Sequence, residues 1–109
     1  GRETPVSANN PSIAEGIAIH RPVRLKQIVN AVLETEGDFV TVEDEQILRA
    51  MKEAALQGVF IEPTSAAAIA ALEHYIGIIN KNKKVVVSLT GNGLKAWNHF
   101  HLYNGHLST

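Results

Sequence analysis

Apolar positions along this chain change their spacing several times, and each change marks an element. From Pro22 to Thr35, Val23, Leu25, Ile28, Val29 and Val32 recur every three or four residues, which lines one face of a helix. Gly37 supplies a stop. Phe39-Val40-Thr41-Val42 is short and β-branched, lies between Gly37-Asp38 and a run of carboxylates, and predicts a strand. The helical period then returns with Ile47, Leu48, Met51 and Ala55. Glu43, Asp44 and Glu45 put negative charge at the positive end of that helix dipole, and Gly58 ends it.

Val59-Phe60-Ile61 is a brief apolar run, and Pro63 sits where a helix start tolerates proline. A third helix is expected from Ser65 to about Asn80, alanine-rich at first, with Ile69, Leu72, Ile76 and Ile79 on one face. Val85 to Leu89 is almost continuously apolar, the pattern of a parallel strand buried on both sides. Alternating helices and strands predict the α/β class: a three-layer-like parallel sheet with flanking helices, joined by right-handed crossovers. Three short strands make a small sheet, yet the last carries the pattern of a central strand in a larger one. The chain therefore reads as part of a larger sheet. Residues 1–11 hold two prolines and no periodicity and read as an irregular lead-in. The ordered pattern spans 12–95, and 96–109 is a tail.

Composition narrows the picture only slightly. With 109 residues, 45% hydrophobic content and a net charge of −1, the profile is that of one globular domain with no electrostatic bias towards nucleic acid or an anionic membrane. The absence of cysteine excludes disulfides and thiolate catalysis. GRETPVSANN lacks the apolar core of a signal peptide, and no apolar run approaches the ~20 residues of a membrane span. A cytoplasmic location is the default expectation.

Candidate chemistry lies where apolar runs end. Ligands of open α/β sheets bind outside the carboxyl ends of the strands. Here Val59-Phe60-Ile61 runs into Glu62-Pro63-Thr64-Ser65, and Val85 to Leu89 runs into Thr90-Gly91-Asn92-Gly93. If the two strands are parallel neighbours, both loops share one rim. Ser65 and the free amides of Ala66 and Ala67 would then offer a helix N-terminus, and Thr90 a hydroxyl able to donate and accept. The plainer alternative is that Thr64 or Ser65 caps a helix and the glycines make a turn. Glu62 is an acid facing that same rim.

Other signals are weaker. Gly91, Gly93 and Ala96 match G-x-G-x-x-A, but no acidic residue follows Glu73 to bind a ribose, so a dinucleotide site is not expected. The P-loop spacing also fails. His99, His101 and His106 have no carboxylate or thiolate beside them, which argues against a metal site. Glu43-Asp44-Glu45 is explained by a helix start, and Lys81, Lys83 and Lys84 by a solvated turn.

Four ordered motifs carry a resemblance. Ser12-Ile-Ala-Glu15-Gly16-Ile-Ala-Ile19, Pro22-Val23-Arg24, Glu62-Pro63-Thr64-Ser65-Ala66-Ala67-Ala68 and Leu89-Thr90-Gly91-Asn92-Gly93-Leu94-Lys95 together resemble the C-terminal part of the threonine synthase family. Those enzymes are pyridoxal-phosphate proteins of the tryptophan synthase β-like fold, fold type II. The resemblance implies conversion of O-phosphohomoserine and water to threonine and phosphate, with pyridoxal 5'-phosphate as cofactor. It also implies that Thr90 hydrogen-bonds the cofactor's pyridine nitrogen and that Gly91 lets the chain pass close to the ring. Glu62 matches the acid of the family's Glu-Pro motif near the cofactor site, and Ser65, which follows it, is implied as a further cofactor-binding residue. A neutral hydroxyl at the ring nitrogen moderates carbanion stabilisation, whereas a carboxylate would favour the charged pyridinium.

The departures from the family matter as much. Its Schiff-base lysine and Gly-rich phosphate loop belong to an N-terminal portion, and neither motif occurs here. None of Lys26, Lys52, Lys81, Lys83, Lys84 or Lys95 lies in the lysine motif. Ala96 stands where the family often has aspartate, and Trp97 to Thr109 finds no match. The expectation is a C-terminal fragment, inactive alone, whose partners are the rest of the enzyme, its small-molecule substrate and further copies in a homo-oligomer. Threonine and serine dehydratases share the fold but carry Ser-Gly-Gly at the Thr90 loop. A non-catalytic α/β ligand-binding or interaction module is the alternative from a different class.

Overall fold

The computed structural model describes residues 11–95. Its elements are a short 3-10 helix, η1 (Glu15–Ile17), and three α-helices: α1 (Leu25–Glu34), α2 (Asp44–Leu56) and α3 (Pro63–Leu72). The core lies where α2 packs against α3, with η1 closing one end of α3. Ile47, Ala50, Met51 and Ala54 of α2 meet Ala66, Ala67 and Ala70 of α3, joined by Ala14 and Ile61. The alanines leave little bulk between the helices, so Ile47 and Met51 fill the space and are the largest fully buried side chains.

Helix ends follow local chemistry. The amide of Glu43 donates to Gln46 Oε1 at 2.8 Å, part of a capping box that starts α2. Asp44, next along, holds the entering chain: its carboxylate accepts from Ser12 Oγ at 2.8 Å and from the amide of Ile13. The carboxylate run is thus a helix start, as the sequence suggests, and also an anchor 32 residues back along the chain. At its other end α2 closes in a Schellman motif, with Gly58 left-handed at φ 79° and the Val59 amide on the Ala54 carbonyl at 2.9 Å.

α1 ends in the same motif, one residue before the expected stop. Glu36, not Gly37, takes the left-handed position at φ 51°, and the Gly37 amide reaches back to Val32 at 2.8 Å. Bond spacing decides this: the bond from the Gly37 amide to the Val32 carbonyl closes only when the residue between Thr35 and Gly37 turns left-handed. The third helix also departs from expectation, starting two residues earlier and ending at Leu72, not Asn80. Pro63 occupies its first turn, where the missing N–H is no loss. Beyond Leu72 a series of turns runs through residues 73–79, and Ile76 stays largely exposed.

The parallel sheet does not form among the described residues. Phe39–Val42 is unpaired, with Phe39 exposed, and Val85–Leu89 has no neighbouring strand, leaving Val86 92% exposed. A strand exists only when other chain segments take its N–H and C=O groups, and these residues contain none to take them. The one strand-like pairing among the described residues is an isolated antiparallel bridge between Ile61 and Asn92. Asn92 lies beyond Val85–Leu89, in the loop, so this bridge joins the two loops, and the expected parallel pairing of Val59–Ile61 with Val85–Leu89 has no counterpart among the described residues.

Candidate cofactor-binding loop

The two loops nevertheless come together, and α3's first turn is where they meet. Around the Ile61–Asn92 bridge, the Glu62 amide donates to the Gly91 carbonyl at 3.2 Å, and the Gly93 amide to the Phe60 carbonyl at 3.1 Å. Ser65 completes the attachment. Its Oγ accepts the Gly91 amide at 2.8 Å and donates to the Gly91 carbonyl at 3.3 Å, and the residue is 3% exposed. Both polar groups of Gly91 are thereby fixed from one helix.

This overturns the cap reading of Ser65. The N-cap of α3 is Glu62, with extended φ −76° and ψ 160°, so Ser65 is the third helical residue and points across to the loop. The amides of Ala66 and Ala67 are not free as expected. With the helix starting at Pro63, the Ala66 amide already bonds Glu62's carbonyl at 3.0 Å, and Ala67 follows one position further into the helix.

Close approach explains the glycines. A Cβ built on Gly91 would fall on the Glu62 carboxyl group, and one on Gly93 would come within 2.6 Å of the Phe60 ring. Neither has a left-handed backbone, so space and not φ excludes a side chain. Gly16 behaves alike, with Thr64 Oγ1 2.7 Å from where its Cβ would stand. Three glycines from distant segments therefore press on one stretch, Phe60 to Ser65. Asn92 braces the loop from within, its Oδ1 accepting the Leu94 amide at 2.9 Å.

The sequence-predicted site residues divide as follows. Glu62, Ser65 and Gly91 come together. Thr90 is adjacent and exposed, and its hydroxyl has no hydrogen-bond partner among the described residues. Every lysine of the chain is exposed. Ala96, His99, His101 and His106 lie outside the described residues; among those that are described, no group of three histidine, aspartate or glutamate side chains could hold a metal ion. Gly16 and Phe60 had no assigned role, and Thr64, expected as a candidate cap, is the second residue of α3. Their signal was available only as glycines in two separated motifs, with nothing to say that both meet one helix end.

The chain belongs to the family of pyridoxal-phosphate dependent enzymes, whose sequence profile matches residues 1–91. That family is of the α/β class and uses pyridoxal phosphate as its cofactor. Among its relatives is a protein named threonine synthase from Methanocaldococcus jannaschii, 38% identical over 90 residues, covering 80% of this chain and 22% of that protein. Proteins of the same name from Mycobacterium tuberculosis (42% over 87 residues, 77% of this chain and 24% of theirs) and Halalkalibacterium halodurans (45% over 87 residues, 77% and 25%) are also similar. The chain spans about a quarter of the length of the curated relatives it matches. No helix among the described residues is long and apolar enough to cross a membrane.

Proposed function

We propose that this chain is the C-terminal portion of a threonine synthase, which converts O-phosphohomoserine and water to threonine and phosphate, and that it is inactive alone. The observation carrying this reading is the convergence of three family-like motifs, Ser12–Ile19, Glu62–Ala68 and Leu89–Lys95, on the first turn of α3. Threonine synthase relatives at 38 to 45% identity support the choice within the family.

The residues present suit the cofactor's ring. An exposed hydroxyl at Thr90, without a hydrogen-bond partner among the described residues, stands beside a buried glycine whose two backbone groups are already satisfied. The peptide holding Thr90 is thus fixed while its side chain remains free to bind. Pyridoxal phosphate, when bound, supplies an electron-withdrawing ring. Thr90 would hold its ring nitrogen through one neutral hydrogen bond. The Glu62 carboxylate fills the space beside Gly91 at the positive end of α3, and Gly91 would contribute by holding Thr90 in place.

Within the whole enzyme, Val85–Leu89 takes its place in a parallel sheet completed by the missing portion, which also supplies the lysine and the phosphate loop. Residues 12–95 form the α/β part, 1–11 the lead-in and 96–109 the tail of a cytoplasmic homo-oligomer. Light scattering of the whole enzyme checks the last point, and a monomer there removes it.

The test uses the full-length enzyme with O-phosphohomoserine, following phosphate release. Thr90→Val leaves the ring nitrogen without its partner and lowers turnover by a factor equivalent to about 1 to 3 kcal/mol. Thr90→Asp goes further and moves the cofactor's absorbance, because a carboxylate favours the pyridinium form. Wild-type rates and spectra from both variants would make Thr90 a turn residue only. Dehydration of threonine or serine in place of phosphate release would reassign the enzyme to the dehydratases.

A further inference from the structure

The hydroxyl of Ser65 has one proton and a limited set of acceptor directions, and the structure accounts for both. It accepts the Gly91 amide at 2.8 Å and donates its proton to the Gly91 carbonyl at 3.3 Å. At 3% exposure it has no face turned to a ligand. Ser65 is also rooted in the part of the fold that has least freedom, since Ala66, Ala67 and Ala70 beside it are core residues of the α2–α3 contact. Thr90, one peptide bond from Gly91, is by contrast exposed and makes no hydrogen bond among the described residues. No side-chain hydrogen bond of its own holds it in place among the described residues; its position is inherited from Gly91.

We infer that Ser65 is a positioning residue for Thr90: it binds no cofactor atom itself, and fixes the Thr90–Gly91 peptide so that the Thr90 hydroxyl stands at the ring nitrogen. This rests on the cofactor role proposed for Thr90. It replaces the expectation that Ser65 is itself a cofactor contact, since its one proton is spent on the Gly91 carbonyl and the oxygen that accepts the Gly91 amide is buried. The Glu62 amide, which shares the Gly91 carbonyl at 3.2 Å, cannot substitute for Ser65, because it leaves the Gly91 amide unheld.

A double-mutant cycle in the full-length holoenzyme separates this from the alternatives. Ser65→Ala in the Thr90 background should lower turnover and cofactor affinity by about fivefold to thirtyfold, the effect of two lost hydrogen bonds. In the Thr90→Val background, where no hydroxyl remains to be positioned, the same substitution should change either quantity less than about twofold. Equal losses in both backgrounds would make Ser65 a direct cofactor contact or a merely structural residue, and would overturn the inference. Should Thr90→Val alone match wild type, the proposed cofactor role falls as well, an outcome distinct from additivity.

Amide hydrogen exchange of the cofactor-free enzyme gives a readout apart from activity. The Gly91 amide should exchange at least tenfold faster in Ser65→Ala, with the amides of Ala66 to Ala70 unchanged. Ser65→Cys keeps the volume of the buried site with a weaker donor and acceptor, and should fall between the two. If Ser65→Ala does not fold, the cycle is run with Ser65→Cys, and additivity with Thr90→Val overturns the inference equally.

Discussion

Helices α1 and α2 read alike in sequence and fare differently in structure. Each carries a clear apolar stripe, and each ends in a Schellman motif. Yet α2 buries Ile47, Ala50, Met51 and Ala54, while α1 buries nothing and leaves Ile28 42% and Leu33 70% exposed. A stripe states that a face needs cover, and says nothing of which segment covers it. For α2 the cover is α3, nearby in the chain. For α1, as for Val85–Leu89, it is not among the described residues. The glycine-rich loop is fixed on the packed half, and the bare half leaves its apolar face uncovered among the described residues.

The sharpest break of this comparison is a core truncation made in both helices. Met51→Ala in α2 removes a side chain that is 2% exposed and should lower the unfolding free energy of the isolated chain by about 2 to 5 kcal/mol. Ile28→Ala in α1 should change it by about 0.5 kcal/mol or less. In the full-length enzyme the Ile28 effect should rise towards that of Met51. Urea unfolding of both forms checks the pair, and an unchanged Ile28 effect in the full enzyme would mean α1 stays uncovered there.

A smaller effect separates glycines that need space from one that needs a backbone angle. Gly91→Ala drives a methyl group into the movable end of the Glu62 side chain and should destabilise the enzyme by about 1 kcal/mol or less. Removing the obstacle with Glu62→Ala should recover most of the loss. Gly58→Ala meets nothing within 4 Å but sits at φ 79°, so it should lose about 1 to 2 kcal/mol that no neighbouring substitution restores. Thermal unfolding of the two single variants and the double variant decides whether the distinction holds.

The smallest expected effect is a gain. Glu36 takes, at φ 51°, the position that Gly58 fills in the other helix, so Glu36→Gly should stabilise the chain by about 0.5 to 1 kcal/mol. Calorimetry showing a lower melting temperature would mean that the Glu36 side chain contributes more than its backbone strain takes away.

Periodicity, breakers and motif order were enough to locate three helices and to point to Glu62, Ser65, Thr90 and Gly91. All of these depend on residues near one another in sequence, where 3.6-residue spacing, proline at a first turn and glycine after a last one act locally. The same sequence also resembled a family whose profile matches residues 1–91. Three things lay beyond its reach. The α3 boundaries depended on Pro63 taking the first turn, which moved Ser65 from a cap to a crosslink. The direction of the Ile61–Asn92 pairing, and the meeting of Gly16, Gly91 and Gly93 on one helix end, depended on contacts between segments 30 to 50 residues apart. No local pattern encodes such contacts, because it is the burial of α2 against α3 that fixes where those segments lie. The two-sided apolar run at Val85–Leu89 shows the converse limit: its pattern records a demand for neighbours, and only a complete tertiary structure can meet it.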